Sequence, residues 1–127
     1  MLSELGGALS KVTQTYIYEL DDPRGSRAPD SAGFEFGSMH TAEIGFLYAP
    51  ITSGGKSPEQ IALAKRMQKY WATFAREGRP HDGTNQWPAL QAGSENVLRF
   101  QPTGDVILPL AKVRDEHHCG FWSSVGY

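Results

Sequence analysis

The chain has 127 residues, with 12 Lys and Arg against 14 Asp and Glu for a net charge of −2, which is the size of one domain. Acids and bases are interspersed, which argues against a face for nucleic acid or anionic lipid, and no apolar run approaches the roughly 18 residues of a membrane span. Cys119 is the single cysteine, which excludes an internal disulfide, and Met1-Leu2-Ser3-Glu4 lacks the pattern of a signal peptide, leaving the compartment unassigned.

Taken in order, Leu2 to Leu9 mixes leucine, alanine and two adjacent glycines and reads as the frayed end of a helix. Val12 to Leu20 is rich in β-branched and aromatic residues and stops at Asp21-Asp22-Pro23, so a strand is expected. Its apolar residues on both faces predict burial between layers. Arg24 to Ala32 is a polar loop, with Asp21, Asp22 and Asp30 as turn residues. It leads to Phe34-Glu35-Phe36-Gly37-Ser38-Met39-His40, and the spacing of Ile44, Leu47 and Tyr48 then fits a short helix stopped by Pro50. Ile51 to Lys56 is loop.

Ser57-Pro58-Glu59-Gln60 combines a serine cap, a proline at the first helical position and a glutamine that completes a capping box. The helix runs to Gly78, and Ile61, Ala64, Met67, Trp71 and Phe74 form an apolar stripe widened by Leu63 and Tyr70. Few other elements look large enough to cover that stripe, which at this spacing is ordinary core. Residues 81 to 88 are loop, with Trp87-Pro88 as its anchor. Val97 to Phe100 and Val106 to Leu108 flank the turn Pro102-Thr103-Gly104-Asp105 and predict a small hairpin, distant from the first strand. Asp115 to Trp122 is expected to be a short helical end with its aromatics tucked in, followed by a loose tail. His117-His118-Cys119 has the wrong spacing for zinc, so no metal or cofactor is expected.

Four of these stretches fall together in one family's order. They are Tyr16-Ile17-Tyr18-Glu19-Leu20 with Asp21-Asp22-Pro23, then Gly37-Ser38-Met39-His40-Thr41-Ala42-Glu43-Ile44, then Tyr70 through Pro80 with Trp87-Pro88, and lastly Cys119-Gly120-Phe121-Trp122. With them the chain resembles the C-terminal portion of a type-B carboxylesterase, the carboxylesterase and cholinesterase family. The resemblance implies an α/β class, as a C-terminal fragment of an α/β-hydrolase fold: last main sheet strand, histidine loop, long amphipathic helix, hairpin and short terminal helix. Residues 1 to 127 would form the C-terminal part of one such domain.

The resemblance also implies that His40 is the general base of a Ser-Glu-His triad acting on small carboxylic esters. No G-x-S-x-G nucleophile elbow and no glycine-rich oxyanion loop occurs in the chain, so the chain alone is expected to be inactive. For His40 the plain alternative is a loop histidine bonded to its neighbours. For Glu43 two readings stand side by side: a buried carboxylate that steadies the histidine loop, and a first-turn glutamate favoured by the helix dipole. Alternatives for the whole chain are a non-catalytic interaction domain of the same fold and a self-contained small protein without esterase activity. Exposed strand edges and an uncovered helix face predict self-association of the isolated chain, whose oligomeric state is otherwise open.

Overall fold

The computed structural model describes residues 2–25, 33–34, 36–48, 55–93 and 95–126. Parts of the loops expected over Arg24 to Ala32 and Ile51 to Lys56, the stop at Pro50, and Glu35, Asp30 and Tyr127 lie outside the described residues. The elements in chain order are α1 (Leu2–Leu9), β1 (Tyr18–Leu20), α2 (Ile44–Leu47), α3 (Pro58–Glu77), β2 (Asn96–Phe100), β3 (Val106–Pro109), α4 (Leu110–Glu116) and α5 (Cys119–Ser124). The strands make one three-stranded sheet in the order β1-β2-β3. Between β1 and β2, the Leu98 N–H donates to the Ile17 carbonyl and the Asp21 N–H to the Phe100 carbonyl, ascending together along both strands as in a parallel pair. The hairpin is therefore not distant from the first strand but pairs with it.

The chain groups into two compact units. In the unit comprising Leu20–Trp87 and Arg99–Val106, α3 is the platform. Its start is built as the sequence predicts, with the Ser57 hydroxyl accepting from the Gln60 N–H at 3.2 Å and the Gln60 side chain accepting from the Ser57 N–H at 3.0 Å. Its end is Gly78, in the left-handed conformation (φ 69°) that a glycine adopts without a Cβ clash. The buried line is Leu63, Ala64, Met67, Tyr70 and Thr73, which corrects the expected stripe: Phe74 is 48% exposed and Trp71 half-buried. The face is turned because the polar residues at both ends face inward, Gln60 at one and Thr73 at the other. The Thr73 hydroxyl donates to the His81 carbonyl at 2.8 Å and accepts from the His81 N–H at 2.9 Å, tying down the loop beyond the helix. Nor is the helix uncovered. Tyr70, Trp87 and Phe100 meet edge to face with centroids 5.5 to 6.1 Å apart, so the hairpin and the Trp87 anchor complete this core. The Arg66 guanidinium grips Asp105 through two bonds of 3.0 and 3.1 Å and donates to the Gln101 carbonyl at 2.7 Å, fixing the hairpin turn to α3.

The other unit comprises Met1–Glu19, Pro88–Leu98 and Ile107–Tyr127. Here Gly6 is not merely a fraying residue: a Cβ at that position would lie 2.8 Å from Ile17 Cδ1 and 3.5 Å from Leu90 Cδ2, so the glycine permits close packing. The predicted strand over Val12 to Leu20 is shorter than expected. Amides of Val12 and Thr13 turn back to the Leu9 carbonyl, extending the end of α1, and regular pairing is confined to Tyr18–Leu20. Nor is that strand interior, since Tyr18 is exposed and Glu19 and Leu20 are half-buried, with no layers enclosing both faces among the described residues. The terminal segment departs most. Helix α4, anchored by buried Leu110, was not expected, and the break before α5 falls at His118, which has φ 51°. Phe121 and Trp122 are 59% and 51% exposed and pack on each other, not into a core, while Ser123 and Ser124 continue the helix instead of starting a tail.

Burial of Tyr70, with the charges of Asp82 and Asp105 adding to it, pushes its phenol up to about 12. A free tyrosine ionises near 10, so the folded state holds this proton more tightly than the unfolded one. Its contribution to stability is complete below about pH 10 and is lost as the pH rises from there towards 12. Urea unfolding at intervals from pH 9 to 12 should show this alkaline decline in the parent chain and a clearly shallower one in Tyr70→Phe.

Candidate functional site

His40 is carried on the segment between β1 and α2, and the placement of that segment follows from one buried carboxylate. Asp22, two residues beyond the end of β1, is 2% exposed. Its Oδ2 accepts from Gln60 Nε2 at 2.6 Å, and its Oδ1 accepts from the Arg24 N–H at 3.0 Å, closing the turn that the sequence predicts. Its backbone is held as well. The Ser38 hydroxyl accepts from the Asp22 N–H at 2.9 Å and donates to the Asp22 carbonyl at 3.0 Å. The end of β1, the start of α3 and the residue two before His40 are thus joined through Asp22. Gly25 allows this approach, since a Cβ there would lie 2.8 Å from Ser38 Oγ.

The backbone around His40 is bent at defined points. Gly37 has φ 59° and Thr41 has φ 71°, so left-handed residues stand on both sides of the histidine. For a β-branched threonine that conformation is strained by roughly 1–2 kcal/mol, and such strain concentrates where a side chain must be aimed. The Ala42 N–H bonds to the Met39 carbonyl at 3.0 Å, and the Ile44 N–H to the Thr41 carbonyl at 3.1 Å, so the turn runs directly into α2. That helix is fixed to α3 by its buried Phe46, whose carbonyl accepts from Gln68 Nε2 at 3.0 Å.

The result is a cleft of about 560 Å³ with the exposed His40 on its wall, together with Met39, Ile44 and Gln60. Arg24 and Lys56 also line it, and the Lys56 Nζ stands 5.8 Å from the centroid of the Phe46 ring. Beside it, a hydrogen bond from the Ser57 hydroxyl, with the helix amide and the Arg24 charge, holds the Glu59 carboxyl below its usual range. Among the described residues no side chain is hydrogen-bonded to the His40 ring, so its nitrogens can serve a group brought into the cleft. Glu43 is half-buried at the start of α2, has no capping bond through its side chain and is not part of the cleft wall. No bond joins it to His40 among the described residues. His117 is elsewhere, against the Glu19 carboxylate. Asp22, Ser38 and Gln60 are the site residues that sequence reasoning assigned only to turn or cap, or did not single out.

With this geometry established, comparison with known proteins assigns the chain. The profile of the carboxylesterase family matches residues 2–122. The chain belongs to the carboxylesterase family. Its relatives include mouse carboxylesterase 1E, 41% identical over 115 residues, and rabbit liver carboxylesterase 1, 42% identical over 113 residues. Each match takes in 87% of this chain but only 19% of the relative, so the chain spans about a fifth of the carboxylesterases it matches. Among solved structures, a PNB esterase aligns over 85% of this chain and 22% of its own with a TM-score of 0.65 at 22% identity. A thermophilic PNB esterase gives a TM-score of 0.67 at the same identity, covering 85% of this chain and 23% of its own. The fold of this carboxylesterase-family chain is accordingly that of an α/β-hydrolase in part, a small mixed α/β piece with a three-stranded sheet.

Two substitutions test the local account. Asp22→Ala leaves Gln60 Nε2 and the Arg24 amide without their buried acceptor and should lower stability by about 3 kcal/mol in urea unfolding. Thr41→Gly relieves the left-handed strain and should raise stability by about 1 kcal/mol in the same assay.

Proposed function

We propose that His40 is the general base of a Ser-Glu-His triad and that residues 1–127 are the C-terminal part of one carboxylesterase domain, with nucleophile and acid on other segments of that domain. The observation that carries this reading is the exposed His40 on the wall of a cleft, in a loop held from beneath by Asp22 and Ser38 and bent on either side by left-handed residues. Membership of the carboxylesterase family supports carboxylic ester hydrolysis as the reaction.

In this mechanism a neutral His40 ring nitrogen takes the proton of a serine hydroxyl as the oxygen attacks the ester carbonyl. The same nitrogen then returns the proton to the departing alcohol. A water molecule, deprotonated in turn by His40, attacks the acyl-serine, and His40 returns that proton to the serine oxygen as the acid is released. A base in this role must stay within hydrogen-bond reach of its proton donor through both half-reactions. A loop fixed to both β1 and α3 meets that requirement better than one held by its termini. Glu43, next to the cleft wall but not on it, is assigned a supporting part in the loop and not the part of the triad acid.

The isolated chain, having no G-x-S-x-G serine, should hydrolyse a chromogenic acetate ester no faster than its His40→Ala variant. When this chain replaces the matching segment of mouse carboxylesterase 1E, the hybrid should hydrolyse the ester, and His40→Ala in that hybrid should reduce kcat by about a thousandfold or more. Near-normal turnover by the His40→Ala hybrid would remove His40 from the mechanism.

A further inference from the structure

The cleft that carries His40 is also charged, and with one sign. Arg24 and Lys56 both stand on its wall and no carboxylate does among the described residues, although the chain as a whole has 14 acids against 12 bases. The acids that neighbour them in the sequence are engaged elsewhere. Asp21 accepts from Gln101 Nε2 at 2.7 Å, and Asp22 is buried, with its oxygens accepting from Gln60 Nε2 and the Arg24 N–H. Glu59 is bonded to the Ser57 hydroxyl and, like Glu43, lies outside the wall. The two cations are held in different ways. Arg24 is fixed through its backbone, its N–H donating to Asp22 Oδ1 at 3.0 Å and its carbonyl accepting from Gln60 Nε2 at 3.3 Å, so the guanidinium of this exposed residue is not needed to hold the turn. Lys56 is half-buried, with Nζ 5.8 Å from the centroid of the Phe46 ring, and Phe46 is itself part of the wall.

A guanidinium and an ammonium in one cleft recognise a carboxylate through charge-assisted hydrogen bonds, and an uncharged ester group gains far less from them. The volume of about 560 Å³ is that of a small-molecule site, so a ligand anchored at the cations stays within the cleft that His40 lines. We propose that Arg24 and Lys56 form a carboxylate-binding site, and that the preferred substrates at His40 are esters carrying a second, ionised carboxylate, the half-esters of dicarboxylic acids. Carboxylate binding depends only on this chain's own residues; the preference in turnover also rests on the reading of His40 as the triad base. The two cations place the ester and take no part in making or breaking its bonds.

Monoethyl adipate and diethyl adipate differ by the one charge at issue. Titrated at pH 8 into the isotope-labelled 127-residue chain and followed by NMR at the amides of Arg24, Gly25 and Thr41, the half-ester should bind about tenfold more tightly than the diester. Raising NaCl from about 0.02 M to about 0.5 M should remove most of that difference. Arg24→Gln should weaken half-ester binding about tenfold, and Arg24→Lys should retain most of it. Lys56→Gln should weaken it independently, so that loss of folding in one variant does not decide the outcome. In the hybrid with mouse carboxylesterase 1E the half-ester should be favoured in kcat/KM by a similar factor, and Arg24→Gln should lower that preference chiefly through KM. Equal binding of the two adipates, a preference indifferent to salt and to both glutamines, or spectral changes remote from the cleft would each overturn the proposal. Carboxylate binding by the chain with no preference in the hybrid would overturn the substrate assignment. In the hybrid, His40→Ala should abolish turnover of both esters and keep the difference in binding; turnover without His40 would instead contradict the triad reading and leave the carboxylate site standing.

Discussion

The carboxylate of Asp22 is the point on which the candidate site depends. Placing a carboxylate at 2% exposure is unfavourable unless its oxygens are satisfied, and here the Gln60 amide and the Arg24 N–H satisfy them. The same residue offers its own backbone N–H and carbonyl to Ser38. One residue, through its side chain and its backbone, therefore fastens a strand end, a helix start and the loop that carries His40. The capping box belongs to this arrangement, because the Gln60 side chain that accepts from the Ser57 N–H also donates to Asp22. A cap that elsewhere would only terminate a helix here also orients a donor towards the site.

Beyond that junction, α3 links the site to the hairpin. Its buried face carries Gln60 at one end, the Tyr70, Trp87 and Phe100 cluster in its second half, and Thr73 at the loop beyond. Arg66 adds a charge-assisted clamp on the hairpin turn. Such a helix is a rigid reference for a loop that must hold an imbalance of strain at Thr41.

Local features were legible in the sequence and non-local ones were not. Ser57 with Gln60, Gly78, the hairpin turn and the apolar content of α3 are all decided within a few residues, and the structure agrees with them. The resemblance of the segment Gly37 to Ile44 points to His40 as the candidate, and the family and fold inferred with it hold. Asp22 looked like a plain turn residue because its partners are 16 and 38 positions away. The expected stripe of α3 holds at Leu63, Ala64, Met67 and Tyr70 and fails at Phe74, because an apolar pattern does not register that Gln60 and Thr73 face inward to make bonds. The strand expected from Val12 was shortened because its first residues are drawn into the end of α1. The terminal aromatics Phe121 and Trp122 were assigned to a core by their chemistry, but α5 has no buried residue.

Taken together, the chain belongs to the carboxylesterase family, and its histidine loop is fastened by interactions within the chain itself. The most direct measurement is hydrogen exchange of the Asp22 backbone amide, the donor to Ser38 Oγ, in the purified 127-residue chain. The account predicts protection comparable to that of amides in the middle of α3. Exchange of the Asp22 amide at the rate of an unstructured peptide, with α3 still protected, would show that the loop is not held from within and would contradict it.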